Sequence, residues 1–219
     1  MTAAGDRHVQ RLLHMLESGR DADAPYDPVA RREGLLQLAS LAGSCGSPPC
    51  PTEDFSLNFG VSGRIYRPSS SDTSQPAMIY FHGGGFVAGG LDTHDGVCRR
   101  LALGSQRVVL SIAYRLAPEA IYPAAHDDAL NAVNEIVREA PALGLDPQRL
   151  ALAGDSVGGS LAMAACLALA KSSGVCFDRL GLMCPILDLH RDSPSRRLYG
   201  RGYFVEMDAV RRDFEVYCP

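Results

Sequence analysis

Two apolar runs in this chain stop at motifs that neither a helix nor a strand carries through. Ala77–Phe81 leads into His82-Gly83-Gly84-Gly85, and Leu150–Ala153 leads into Gly154-Asp155-Ser156-Val157-Gly158. Three successive glycines weaken any regular element and allow tight, irregular backbone, so the first run ends in a loop. Past the second motif, apolar residues recur at helical spacing from Val157 to Lys171, which predicts a strand, a sharp turn at Ser156 and then a helix. Further apolar runs at Val108–Ala113 and Leu180–Cys184 alternate with helical patterns over Thr93–Leu103 and Ala124–Glu139. Pro123 suits a helix start and Gly104 a helix end. Strands apolar on both faces and separated by helices belong to a mostly parallel sheet covered on both sides, the doubly wound α/β arrangement.

The N-terminal segment has a different rhythm. Val9, Leu12, Leu13 and Leu16, then Leu35, Leu36 and Leu38, fall at helical spacing with Pro25 and Pro28 between them, predicting two helices outside the sheet. Residues 42–52 are rich in Gly, Ser and Pro and read as a linker. From Asp54 to Arg67 the alternation predicts a short antiparallel pair that turns near Gly60 to Gly63.

Composition narrows the function classes. A chain of 219 residues, 46% hydrophobic and 21% charged, can bury a substantial core as one domain. Its formal charge of -4 disfavours a nucleic-acid partner, and Arg191, Arg196, Arg197, Arg201, Arg211 and Arg212 read as a solvated helix face. No apolar run reaches the roughly eighteen residues of a membrane span. Asp6, Arg7, Arg11, Glu17 and Arg20 break up any leader pattern, so a cytoplasmic location is expected. The seven cysteines are odd in number and scattered without a close pair, which predicts reduced packing residues rather than disulfides or a metal site. No cofactor is expected.

At the carboxyl ends of strands in an open α/β sheet, ligands bind, and both motifs fall there. Small residues flanking Ser156 permit the strained turn that lifts a serine hydroxyl clear of the backbone, with Gly154 and Gly158 supplying the room. A helix starting after Ser156 brings unpaired N–H groups and the positive end of its dipole to the same place. A glycine loop with inward N–H groups can stabilise a developing oxyanion. A plain turn and a phosphate loop are the other readings, but a phosphate loop calls for Lys-Ser or Lys-Thr where Phe86-Val87-Ala88 stands. Asp155 reads as orienting the turn and His82 as bracing the glycine loop. His126, Asp127 and Asp128 read as solvated or structural, and Glu119 as a loop-fixing carboxylate.

From about Arg64 to Tyr217 the chain resembles the hormone-sensitive-lipase branch of the α/β-hydrolases. The matching segments, in family order, are Tyr66-Arg67-Pro68, His82-Gly83-Gly84-Gly85-Phe86, Tyr114-Arg115-Leu116-Ala117-Pro118-Glu119, Tyr122-Pro123-Ala124-Ala125, Gly154-Asp155-Ser156-Val157-Gly158-Gly159 and Gly202-Tyr203-Phe204. The resemblance implies an α/β-hydrolase fold and a serine carboxylesterase of small apolar acyl esters, acting through an acyl-serine intermediate. It implies Ser156 as nucleophile and the N–H groups of Gly83, Gly84 and Val157 as the oxyanion hole, with His82, Gly85, Asp155 and Gly158 in support. It also implies a layout of N-terminal cap helices over 1–45, a partial hydrolase core over 53–189 and a cap insertion over 190–219.

Relatives of this branch continue past the cap into two more strands, the first followed by an aspartate and the second by a histidine that complete the triad. The chain is expected to lack both strands, leaving Asp188 and His190 as candidates for a substitute pair. Three further expectations follow: weak or absent turnover, an open edge at Leu180–Cys184 prone to self-association, and a mobile segment from His190 to Pro219. The competing reading is a non-catalytic small-molecule binder or interaction module that keeps the pocket.

Overall fold

A computed structural model describes residues 6–18, 25–43, 46, 48–68, 74–172, 175–189, 191 and 193–219. The elements run α1 (Arg7–Ser18), α2 (Pro28–Gly43), β1 (Thr52–Ser56), β2 (Ser62–Tyr66), β3 (Gln75–Phe81), α3 (Asp95–Ser105), β4 (Val108–Ala113), α4 (Ala124–Glu139), β5 (Leu145–Asp155), α5 (Val157–Ser172), β6 (Arg179–Met183), α6 (Pro194–Tyr199) and α7 (Met207–Tyr217). Among the described residues the strands form one sheet in the order β1-β2-β4-β3-β5-β6. The pairs β1/β2 and β2/β4 are antiparallel, while β4, β3, β5 and β6 run parallel.

The order places the two motifs side by side. Because β3 and β5 are parallel neighbours with Phe81 opposite Gly154, the glycine loop and the Ser156 turn leave the same end of the sheet. Helix α5 starts in the gap between them. A Cβ at Gly158 would overlap the carbonyl oxygens of Phe81 and His82, and one at Gly154 would overlap the Gly158 backbone, so only glycines let α5 approach β3 this closely.

The core is mostly aliphatic and falls into two clusters on either side of the sheet. Ile79, Phe81, Leu110, Ile112, Leu150 and Leu152 on the central strands pack against Ala129, Val133 and Ile136 of α4 and Leu161, Ala165 and Leu169 of α5. Each large apolar side chain buried this way contributes about 1.5–3 kcal/mol. Opposite them, Tyr66, Tyr80, Cys98, Ala102 and Val109 form the smaller layer under α3. Strand β5 begins at Leu145, earlier than the apolar run predicts, because Gln75 and Leu145 extend the β3/β5 ladder through a register shift. The cysteines divide, with Cys50 and Cys98 buried but Cys176, Cys184 and Cys218 exposed; Cys45 lies outside the described residues.

Helices α6 and α7 stand where the sequence suggested a loosely held segment, and α7 is firmly seated. Val210, Asp213 and Tyr217 form a buried face at spacings of three and four residues. Tyr217 stacks on Phe86 with ring centroids 4.2 Å apart, and its carbonyl accepts the Tyr122 N–H at 2.7 Å. Among the described residues, α7 is thus packed against the glycine loop.

Candidate active site

Ser156 sits between the end of β5 and the start of α5 with φ +53°, a left-handed conformation costly for a residue with a Cβ. Neighbouring backbone holds it there. Its N–H donates to the Met183 carbonyl of β6 at 2.9 Å, and its carbonyl accepts from Ile186 at 3.2 Å and Ser160 at 3.3 Å. The residue stays half-buried rather than enclosed. Among the described residues, nothing hydrogen-bonds to its hydroxyl.

Asp155 does not face the same way. Its Oδ1 accepts the Tyr80 hydroxyl at 2.6 Å and the Gly83 N–H at 2.9 Å, and His94 Nε2 stands 3.4 Å away. Burial opposes ionisation of this carboxyl, but His94, Tyr80 and the Gly83 N–H together outweigh it and hold the group below its ordinary value. Asp155 thus ties the glycine loop directly to the turn that carries Ser156.

That bond bears on which N–H groups of the loop are available. The Gly83 N–H is already committed to a carboxylate, so it is not a free donor. Among the described residues, the N–H groups of Gly84, Gly85 and Val157 make no hydrogen bond. Gly84 at φ +127° and Gly85 at φ +68° take conformations open to glycine, and a Cβ on Gly84 would overlap the Ala88 carbonyl. The loop closes on itself through the Gly84 carbonyl, which accepts from Val87 at 3.2 Å and Ala88 at 2.9 Å.

His82 is buried beneath the loop, its ring stacked on Tyr114 at 4.3 Å. Its Nδ1 lies 2.8 Å from the Gly83 carbonyl. A carbonyl only accepts, so Nδ1 carries the proton. Burial, reinforced by the neighbouring His94, pushes the imidazole down to about 4, leaving it neutral at neutral pH. The Tyr114 hydroxyl donates to the His82 carbonyl at 2.6 Å. His82 is built into the loop's foundation, in contact with backbone rather than with the Ser156 hydroxyl.

Asp128 is buried and receives the Arg115 N–H at 2.9 Å and its guanidinium at 2.8 Å. Glu119 pairs with Arg32 of α2 at 2.6 Å, and that hydrogen bond draws the Glu119 carboxyl down to about 2. Asp188 is exposed and its Oδ1 accepts the Arg191 N–H at 3.1 Å; His190 lies outside the described residues. Among the described residues no cluster of His, Cys, Asp or Glu could hold a metal ion, and no helix is long and apolar enough to cross a membrane.

Sequence reasoning passed over several contributors. Tyr80, His94, Tyr26, Arg31, Arg32 and Asp213 all contact the loop or the groups that hold it. Arg31 and Arg32 fall on a helix of mixed pattern, and nothing in their spacing marks the partners they find in the fold.

A serine on a strained strand-to-helix turn, beside a glycine loop with unpaired N–H groups at the same end of a mostly parallel sheet, defines a nucleophile-elbow α/β protein. The model of the α/β-hydrolase fold family matches residues 78–219, and the chain belongs to that family. It is 38% identical to the ethyl acetate hydrolase of Pseudomonas putida over 94% of this chain and 69% of that protein's length. Against esterase LipI of Mycobacterium tuberculosis it is 48% identical over 64% of this chain and 40% of that protein. A hyperthermophilic esterase from the archaeon Pyrobaculum calidifontis superposes with a TM-score of 0.90 at 32% identity, covering 97% of this chain and 70% of that one. These relatives are named as ester hydrolases, and each continues over a length that this chain does not span.

Proposed function

We propose that this chain carries the site of a serine carboxylic-ester hydrolase, with Ser156 as nucleophile and the N–H groups of Gly84, Gly85 and Val157 as the oxyanion hole. The observation that supports it most is the strained Ser156, held at φ +53° beside three N–H groups without partners among the described residues. In the reaction, Ser156 Oγ attacks the carbonyl carbon of an ester, and the carbonyl oxygen takes up the negative charge opposite those donors. Collapse of the tetrahedral species breaks the ester C–O bond, the proton given up by the Ser156 hydroxyl is carried by water to the leaving alcohol, and a second water later adds to the acyl-serine, releasing the acid and restoring the hydroxyl.

The substrates are esters of small, apolar acyl groups. Phe86, Phe214 and Tyr217 pack together against the loop, with Phe86 and Tyr217 buried. The relatives named for ethyl acetate and acetyl esters support the same substrate class. The cap layout of 1–45 and 190–219 draws support from α2 and α7, which meet at Asp213 against Gly85. The six described cysteines are all free, in keeping with a cytoplasmic setting.

One observation favours the second reading, a small-molecule binder without turnover: no described residue hydrogen-bonds to the Ser156 hydroxyl. Oxyanion stabilisation and binding alone still leave residual catalysis when triad members are removed, so the hydrolase reading expects weak turnover. Initial rates with p-nitrophenyl acetate and butyrate, compared between the wild-type chain and Ser156→Ala, decide between the two. Hydrolysis abolished by Ser156→Ala supports the enzyme. Saturable ester binding with rates equal in both proteins overturns it.

A further inference from the structure

Three consecutive residues of the glycine loop are gripped from outside the sheet. Arg32 Nε of α2 donates to the Val87 carbonyl at 2.8 Å, Tyr217 of α7 stacks on Phe86, and Asp213 of α7 lies against Gly85, where a Cβ would overlap its Oδ2. The last of these contacts is unusual. Asp213 is fully buried, an expensive place for a carboxylate unless charge and hydrogen bonds compensate it. The compensation comes from the N-terminal segment: the Tyr26 hydroxyl donates at 2.6 Å, and Arg31 donates from Nε at 3.3 Å and from its terminal nitrogen at 2.9 Å.

We propose that Asp213 is a positioning residue for the oxyanion loop. Its carboxylate, clamped by Tyr26 and Arg31, holds Gly85 so that the Gly84 and Gly85 N–H groups face the carbonyl oxygen attacked by Ser156. The inference rests on the ester-hydrolase reading and deepens it, because it makes docking of α2 and α7 a condition for reactivity at Ser156. Three observations carry it together. The contact is to backbone at a residue with φ +68°, so there is no side chain to cushion a shift. All three donors come from residues more than 180 positions away in sequence, so the cluster forms only when the N-terminal segment is seated on α7. And a bare carboxylate beside a developing oxyanion would oppose the reaction, whereas Arg31 at 2.9 Å balances its charge.

The test is the rate of covalent labelling of Ser156 by a fluorophosphonate, resolved into the inactivation constant kinact and the reversible constant KI, for wild type, Asp213→Asn, Tyr26→Phe and Arg31→Gln. Misplacing a catalytic group by about 1 Å costs up to ~100-fold, so Asp213→Asn should lower kinact by about 10- to 100-fold with KI within about twofold. Tyr26→Phe removes one hydroxyl and should lower kinact several-fold. Thermal midpoints and far-UV circular dichroism on the same samples separate loss of fold from loss of position, and if Asp213→Asn does not fold, Tyr26→Phe and Arg31→Gln decide. An unchanged or raised kinact in folded Asp213→Asn overturns the inference and leaves the ester-hydrolase reading standing. Absence of any adduct on wild-type Ser156 overturns that reading, and this inference with it.

Discussion

His82 should make the protein lose stability on mild acidification, in a window that opens above the carboxylate range. The imidazole is 1% exposed and its folded pKa is pushed down to about 4, whereas an unfolded histidine titrates near 6.5. Between those values the unfolded chain binds the proton and the folded chain does not. Stability is thus fully present above about pH 6.5 and falls as the pH drops toward 4, after which this loss saturates. The slope reaches about 1.4 kcal/mol per pH unit, for a total of about 3 kcal/mol over the window. His94 and Asp155 face the ring with opposing influences, both already within that value. His126 is also lowered by burial and acts in the same direction, so a variant is needed to isolate His82. His82→Asn keeps an N–H donor for the Gly83 carbonyl without a titrating group. Urea unfolding at pH 7.5, 6.5, 5.5, 4.5 and 4.0 gives both curves. The advantage of wild type over His82→Asn should shrink by about 3 kcal/mol between pH 7 and 4. Parallel curves would show that His82 is protonated or solvated in the fold, and the account of the loop's foundation would be wrong.

Other outcomes follow from the same geometry. Ser156→Gly should raise stability by about 0.5–1 kcal/mol, the left-handed strain relieved less the backbone entropy of glycine, while Ser156→Ala should not; thermal midpoints measure both. Gly158→Ala forces a Cβ into the Phe81 and His82 carbonyls and should cost at least about 1–3 kcal/mol in urea unfolding. The Arg32–Glu119 pair should weaken in acid: with Glu119 lowered to about 2, its contribution is present above the unfolded carboxyl value and lost as the pH falls toward 2, so Glu119→Gln should flatten stability in that range. Strand β6 pairs only with β5 among the described residues, and Leu180 and Met183 on it are exposed. The chain of 219 residues should therefore self-associate in size-exclusion chromatography with light scattering, and a monodisperse monomer would contradict that.

Local pattern carried much of the fold and stopped where partners are distant. Val108–Ala113 and Ala124–Glu139 have the same limits in sequence and in structure, because apolar run, Pro123 and helical periodicity agree there. Ser156 was legible for a similar reason: strand, small residues and helix follow one another within a few positions. The partner of the Gly83 N–H was not legible, since spacing shows that a glycine loop has N–H groups but not that Asp155 already holds the one from Gly83. The seating of α7 had a visible signal in Val210, Phe214 and Tyr217, which recur at helical spacing. Asp213 had none. A carboxylate in a segment rich in arginine reads as solvated until the fold brings Tyr26 and Arg31 to it.

The central claim, that Ser156 is the nucleophile of an oxyanion-stabilised site, is tested most directly by mapping where a fluorophosphonate attaches. After incubation of the native chain, digestion and mass spectrometry should find a single, slowly formed adduct on the peptide containing Gly154-Asp155-Ser156-Val157-Gly158, and none when the chain is heat-denatured before incubation. Fast labelling with an inflection near neutral pH would reveal a working imidazole, with His190 the first residue to change. An adduct on another residue, or none while the chain remains folded, would contradict the assignment of this site.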